Sequence, residues 1–93
     1  MQDLPNYVMD ERLQQMIDMR IPSLDIMHGE LKSLLLEATN ELEEAQRIEE
    51  DNDYSDAMES MERKYWEGMV DAYSQLYQLT YQLSFAEAER ESK

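Results

Sequence analysis

Residues 58–86 read MESMERKYWEGMVDAYSQLYQLTYQLSFA, with no proline and a single glycine. Met58, Glu62, Tyr65, Met69, Ala72, Leu76, Leu79, Leu83 and Ala86 recur at alternating intervals of four and three, and only the acid at Glu62 interrupts the apolar series. That is a heptad seam, which predicts a long helix lying lengthwise on another helix. Asp53 or Ser55 is placed to cap its free N–H groups, and the helix is expected over 55–90. At ~1.5 Å per residue it is about 50 Å long.

The partner is found upstream. Leu24, His28, Leu31, Leu35, Ala38, Leu42 and Ala45 repeat the same alternation, so a second helix is expected over 23–48, joined to the first by an acidic turn at 49–54. A shorter helix over 8–21 places Leu13, Met16, Ile17 and Arg20 or Ile21 at helical spacing. Asn6 or Asp10 is its cap and Pro22 its stop. The expected fold is all-α: one domain over 1–93, built as a long antiparallel, coiled-coil-like hairpin with the N-terminal helix laid across it.

The long helix has more apolar surface than one seam needs. Trp66, Val70, Tyr73 and Tyr77, extended by Tyr81 and Phe85, form a second stripe about a third of a turn away. With the seam assigned to the hairpin, this stripe is left for the N-terminal helix, a protein partner or a second copy. Gly68 and Ala72, four apart, would admit a neighbouring backbone. A homodimeric helical bundle is therefore expected.

Composition limits the function classes. The 93 residues include two glycines, two prolines and no cysteine, which favours helices and excludes disulfides and thiolate metal sites. The longest aliphatic run, Leu34 to Leu36, cannot span a membrane, and a cytoplasmic protein is expected. The net charge of −14 opposes direct binding to nucleic acid or an anionic membrane, so a basic protein is the expected partner.

That charge is local. Residues 41–62 hold ten acids (Glu41, Glu43, Glu44, Glu49, Glu50, Asp51, Asp53, Asp56, Glu59 and Glu62) against one base, Arg47, and so carry −9 of the −14. Stretched as one helix, the window would show about one net charge per 3.7 Å, near the ~3.4 Å per phosphate of a single DNA strand. Folding at the turn raises the density. Acids at the start of the long helix suit its dipole, but Glu41 to Glu50 close the preceding helix, where negative charge is unfavourable. Placement against local stability points to a partner-binding surface.

The same stretch has a calcium-loop reading. Counted from Asp51, oxygen ligands at positions 1, 3, 5 and 12 fall on Asp51, Asp53, Ser55 and Glu62. Position 6, which needs glycine for a sharp bend, is Asp56. These four residues are the candidate metal ligands.

Catalysis finds little support. The single histidine, His28, sits on the apolar seam, with no serine or lysine placed to pair with it. No Glu-x-x-His of the di-metal bundle kind occurs, Asp25 to His28 being the nearest spacing. No enzyme activity and no cofactor are expected.

Residues 61–91, MERKYWEGMVDAYSQLYQLTYQLSFAEAERE, resemble the C-terminal helices of small acidic accessory proteins of actinobacterial phages. The likeness lies in the Tyr65-Trp66 start, the W-x-G-x-x-D-A centre at Trp66, Gly68, Asp71 and Ala72 with Tyr73 following, and an L-T-Y-x-L-x-F-A-x-A-E-R end from Leu79, Thr80 and Tyr81. It covers about a third of the chain. It implies an accessory product that binds a host or phage protein and names no activity; taken with the concentrated charge, the expectation is an inhibitor or DNA mimic directed at a nucleic-acid-handling protein in the host cytoplasm. The rival expectation is a structural, self-assembling coiled coil or phage assembly component.

Overall fold

Local chemistry sets each helix end in the computed structural model, which describes residues 9–92. The described residues form three helices and no strand: α1 (Glu11–Asp18), α2 (Ser23–Asp51) and α3 (Ala57–Glu91). Asp10 caps α1, its carboxylate accepting from the Leu13 N–H at 2.8 Å. Asn6 and Val8, the other cap and the expected first helical residue, lie outside the described residues.

Helix α1 stops before the proline. The Ile21 N–H returns to the Met16 carbonyl at 3.1 Å and the Arg20 N–H to that of Ile17 at 2.9 Å, with Arg20 at φ 62. This pair of bonds closes the helix and satisfies two of its last carbonyls, those of Met16 and Ile17. Helix α1 then packs on α2, not α3: Leu13 is buried, and Arg12 pairs with Glu30 of α2 at 2.5 Å.

Helix α2 outruns its expected end at residue 48 and continues to Asp51. Arg47 reaches back to Glu44 at 2.5 Å and forward to Asp51 at 3.2 Å, holding the last two turns together. The same closure then recurs: the Tyr54 N–H returns to the Glu49 carbonyl at 2.9 Å and the Asp53 N–H to that of Glu50 at 3.1 Å. Asp53, at φ 52, thus ends α2 instead of starting α3. The cap of α3 is Asp56, which accepts from the Met58 N–H at 2.9 Å, so neither Asp53 nor Ser55 has that role. The connection is Asn52 to Asp56, not 49–54.

The hairpin forms as expected, with α2 packed along α3. On α2, Leu31, Ala38 and Ala45 are buried and Leu24, His28, Leu35 and Leu42 half-buried, so its seam faces α3 as read. On α3 the faces are exchanged. Glu59, Arg63, Trp66, Val70, Tyr73, Tyr77, Thr80 and Ser84, again alternating four and three, are buried or half-buried. Met58, Glu62, Tyr65, Ala72, Leu76, Leu79, Leu83 and Ala86 of the expected seam are exposed, and Met69 alone among them is half-buried.

The physical reason lies on α2. Ala38 and Ala45 leave room between the helices for bulk, and Trp66 and Tyr73 line the same groove as Ala38, removing more area from water than Leu or Met would. His28 and Glu49 also point inward, and only this face of α3 offers them polar partners. The Trp66 stripe is therefore the hairpin contact, not a spare surface; of the aromatic candidates for a partner or dimer face, only Tyr81 is exposed. Gly68 makes no close backbone approach, since a Cβ added there would meet nothing within 4 Å.

Candidate functional site

The acids gather where α2 ends and α3 begins. At ~1.5 Å per residue, Glu41 stands about 15 Å from the connection along α2 and Glu62 about half that along α3, so the whole window lies at one end of the hairpin. Glu41, Glu43, Glu44, Glu50, Asp51, Asp53, Asp56 and Glu62 are exposed. Glu41, Glu44, Glu59 and Glu62 line one groove with Ala45 and Ile48, bringing carboxylates of both helices side by side.

Two members behave differently. Glu49, counted among the partner-binding acids, is buried: the Arg63 guanidinium lies 3.0 Å from both its oxygens and also reaches Glu67 at 2.6 Å. Its place on the inward face follows from the seam, four residues beyond Ala45, and it is unavailable to a partner. Glu59 is half-buried, with one oxygen accepting from the Asn52 side chain at 2.7 Å. Sequence reading missed Arg63 because the base stands just outside the acidic window, and only the hairpin register brings it opposite Glu49.

Local pairing shapes the electrostatics. A hydrogen bond from Arg47, then the charge of that guanidinium, holds the Glu44 carboxyl below its ordinary range. Hydrogen bonds to Glu67 first, and to Glu49 second, hold Arg63 above its own. Residues 41–67, which fold into this end, contain eleven acids and three bases, leaving −8 of the total −14.

The calcium-loop geometry is absent. Helix α3 begins at the seventh position of that loop, Asp56 at the sixth is extended at φ −114, and Asp51 is a helical residue paired with Arg47. The Ser55 hydroxyl donates to the Asn52 carbonyl at 2.6 Å, and Glu62 lies more than a turn inside α3. Among the described residues no group of three or more His, Cys, Asp or Glu side chains could hold a metal ion. The structure does not bring Asp51, Asp53, Ser55 and Glu62 together as a ligand set.

His28 meets Thr80 across the hairpin at 2.7 Å and stacks on Tyr77 with ring centroids 4.2 Å apart. The Thr80 hydroxyl also lies 3.0 Å from the Tyr77 carbonyl, which can only accept; donating there leaves the Thr80 oxygen to accept from the Nδ1–H tautomer of His28. This arrangement fixes packing; no activated nucleophile results. No described helix is long and apolar enough to cross a membrane. Comparison with protein-family models, curated proteins and solved structures finds no match to this chain.

Proposed function

We propose that the chain is a non-enzymatic protein-binding module that seats a basic protein on the acidic end of its hairpin. The observation that carries this reading is the concentration of exposed carboxylates there, with Arg47 as the base standing among them on α2. Folding brings −8 into about 15 Å of rod, or roughly one charge per 2 Å, comparable with the ~1.7 Å per charge of duplex DNA. A Lys- and Arg-lined surface that grips phosphates would find a rigid substitute here. The reading is thus an inhibitor or modulator of a nucleic-acid-handling protein, in keeping with the resemblance to phage accessory proteins.

The test is affinity capture at low and high salt, with duplex DNA as competitor. Basic nucleic-acid-binding proteins should be retained, released by salt or DNA, and lost when Glu43, Glu44 and Glu50 are changed to lysine. Retention that ignores salt, or survives the charge reversal, removes the proposal. Glu49 is left unchanged because reversing it would set two cations together in the hairpin. A second reading, a structural self-assembling coiled coil, draws on the exposed face of α3.

A further inference from the structure

Helix α3 carries two heptad series, and the hairpin uses one. The other faces outward: Met58 is 72% exposed, Tyr65 58%, Leu76 45%, Leu79 53% and Leu83 49%. Residues 72–86, AYSQLYQLTYQLSFA, contain no charged side chain in a chain that is 32% charged. Within reach of a second α3, Tyr65, Leu76, Leu79 and Leu83 form a run of exposed apolar side chains along one face, the kind of contiguous patch that marks an interaction surface.

We infer that this face is a dimer interface, occupied by the same face of a second copy of this chain running antiparallel. The seam itself selects that occupant. Centred between Leu76 and Leu79, an antiparallel pairing sets Leu76 against the second copy's Leu79, Ala72 against its Leu83, and Met69 against its Ala86. Each small residue then meets a large one, which fills the layer. Tyr65 falls opposite the second copy's Arg90, where a guanidinium can lie on the ring. A parallel pairing instead sets Ala72 and Ala86 against themselves, leaving voids, and opposes Glu62 to Glu62.

Charge selects the same orientation. Parallel copies would bring two ends of −8 together, whereas antiparallel copies hold them about 70 Å apart, many times the ~8 Å Debye length. The flanks of the seam are neutral at Gln75 and Gln82, so the face selects shape and not a charged partner. Both acidic ends stay open at opposite tips of the dimer. The inference is independent of the proposed basic partner, since reversing Glu43, Glu44 and Glu50 changes partner capture and leaves the mass untouched.

Sedimentation equilibrium of the full chain, from micromolar to near-millimolar, should show a species of twice the 11.1 kDa chain mass. Leu76→Glu with Leu83→Glu should hold it at 11.1 kDa with helical circular dichroism unchanged, because both positions are exposed within the hairpin. If that variant loses helix, the milder Leu76→Ala with Leu83→Ala must still weaken association at least tenfold. Because the chain has no cysteine, a single spin label at Lys64→Cys reads the orientation: about 40 Å between labels for antiparallel copies, under about 20 Å for parallel ones. A chain that stays at 11.1 kDa, a dimer indifferent to both Leu pairs, or the short label distance overturns the inference.

Discussion

His28 and Thr80, 52 residues apart in sequence, are joined by a 2.7 Å hydrogen bond that fixes the register of the hairpin far from its connection. Thr80 is buried, so replacing it with valine keeps the volume, removes the acceptor and leaves the imidazole N–H unpaired. Thr80→Val should cost about 1–2 kcal/mol in urea unfolding. Nitrogen-15 spectra of neutral His28 should show the proton on Nδ1 in the native chain and a mixture of tautomers in the variant. An unchanged midpoint would mean the bond contributes nothing to the hairpin.

Glu49 and Arg63 form the corresponding link near the connection. Arg63→Met should lower the unfolding midpoint sharply, because the buried Glu49 carboxylate is then uncompensated. Adding Glu49→Met should restore most of the loss, since two apolar side chains of matching length suit the site between α2 and α3. Thermal unfolding of both variants and the parent measures this. A double variant no better than Arg63→Met would show that the pair does more than neutralise one buried charge.

At the exposed surface, Arg47 holds Glu44 below the ordinary carboxyl value of 4.5, first by hydrogen bond and then by charge. A carboxylate with a lowered folded value adds stability above its ordinary value and loses it as pH falls through the lowered one. The contribution should therefore be complete at neutral pH and vanish only in acid. Carbon-detected titration should find Glu44 protonating below 4.5, and Arg47→Gln should return it toward that value. A Glu44 that protonates at 4.5 or above in the native chain would remove the pairing from solution.

Three helices, the hairpin and the inward series of α2 were legible because apolar periodicity depends on residue type alone. The face of α3 was not. Both its stripes have the same four-three spacing, and the more continuous aliphatic one, Leu76, Leu79 and Leu83, reads as the core. What decides between them is pairwise: Trp66 and Tyr73 beside Ala38, Thr80 beneath His28, and Arg63 across from Glu49. Each depends on the register of two helices, which a single series of spacings does not contain. The acidic end was legible as a charge count, whereas the withdrawal of Glu49 from it required knowing that α2 continues to Asp51 with its inward face unbroken.

The connection itself stores strain that can be released. Asp53 and Tyr54 follow one another at φ 52 and φ 60, a region aspartate tolerates and tyrosine enters at a cost of about 1–2 kcal/mol. Tyr54 is 62% exposed, so little packing compensates. The conformation persists because the chain must turn through both residues for the Ser55 N–H to reach the Asn52 carbonyl at 3.1 Å. Tyr54→Gly keeps that N–H and removes the clash, against which stands the greater freedom glycine has when unfolded. The net gain should be about 0.5–1 kcal/mol in urea unfolding, while Tyr54→Ala, equally small but still strained at positive φ, should gain nothing. Equal stability of the two variants would trace any benefit to loss of the ring and not to the backbone.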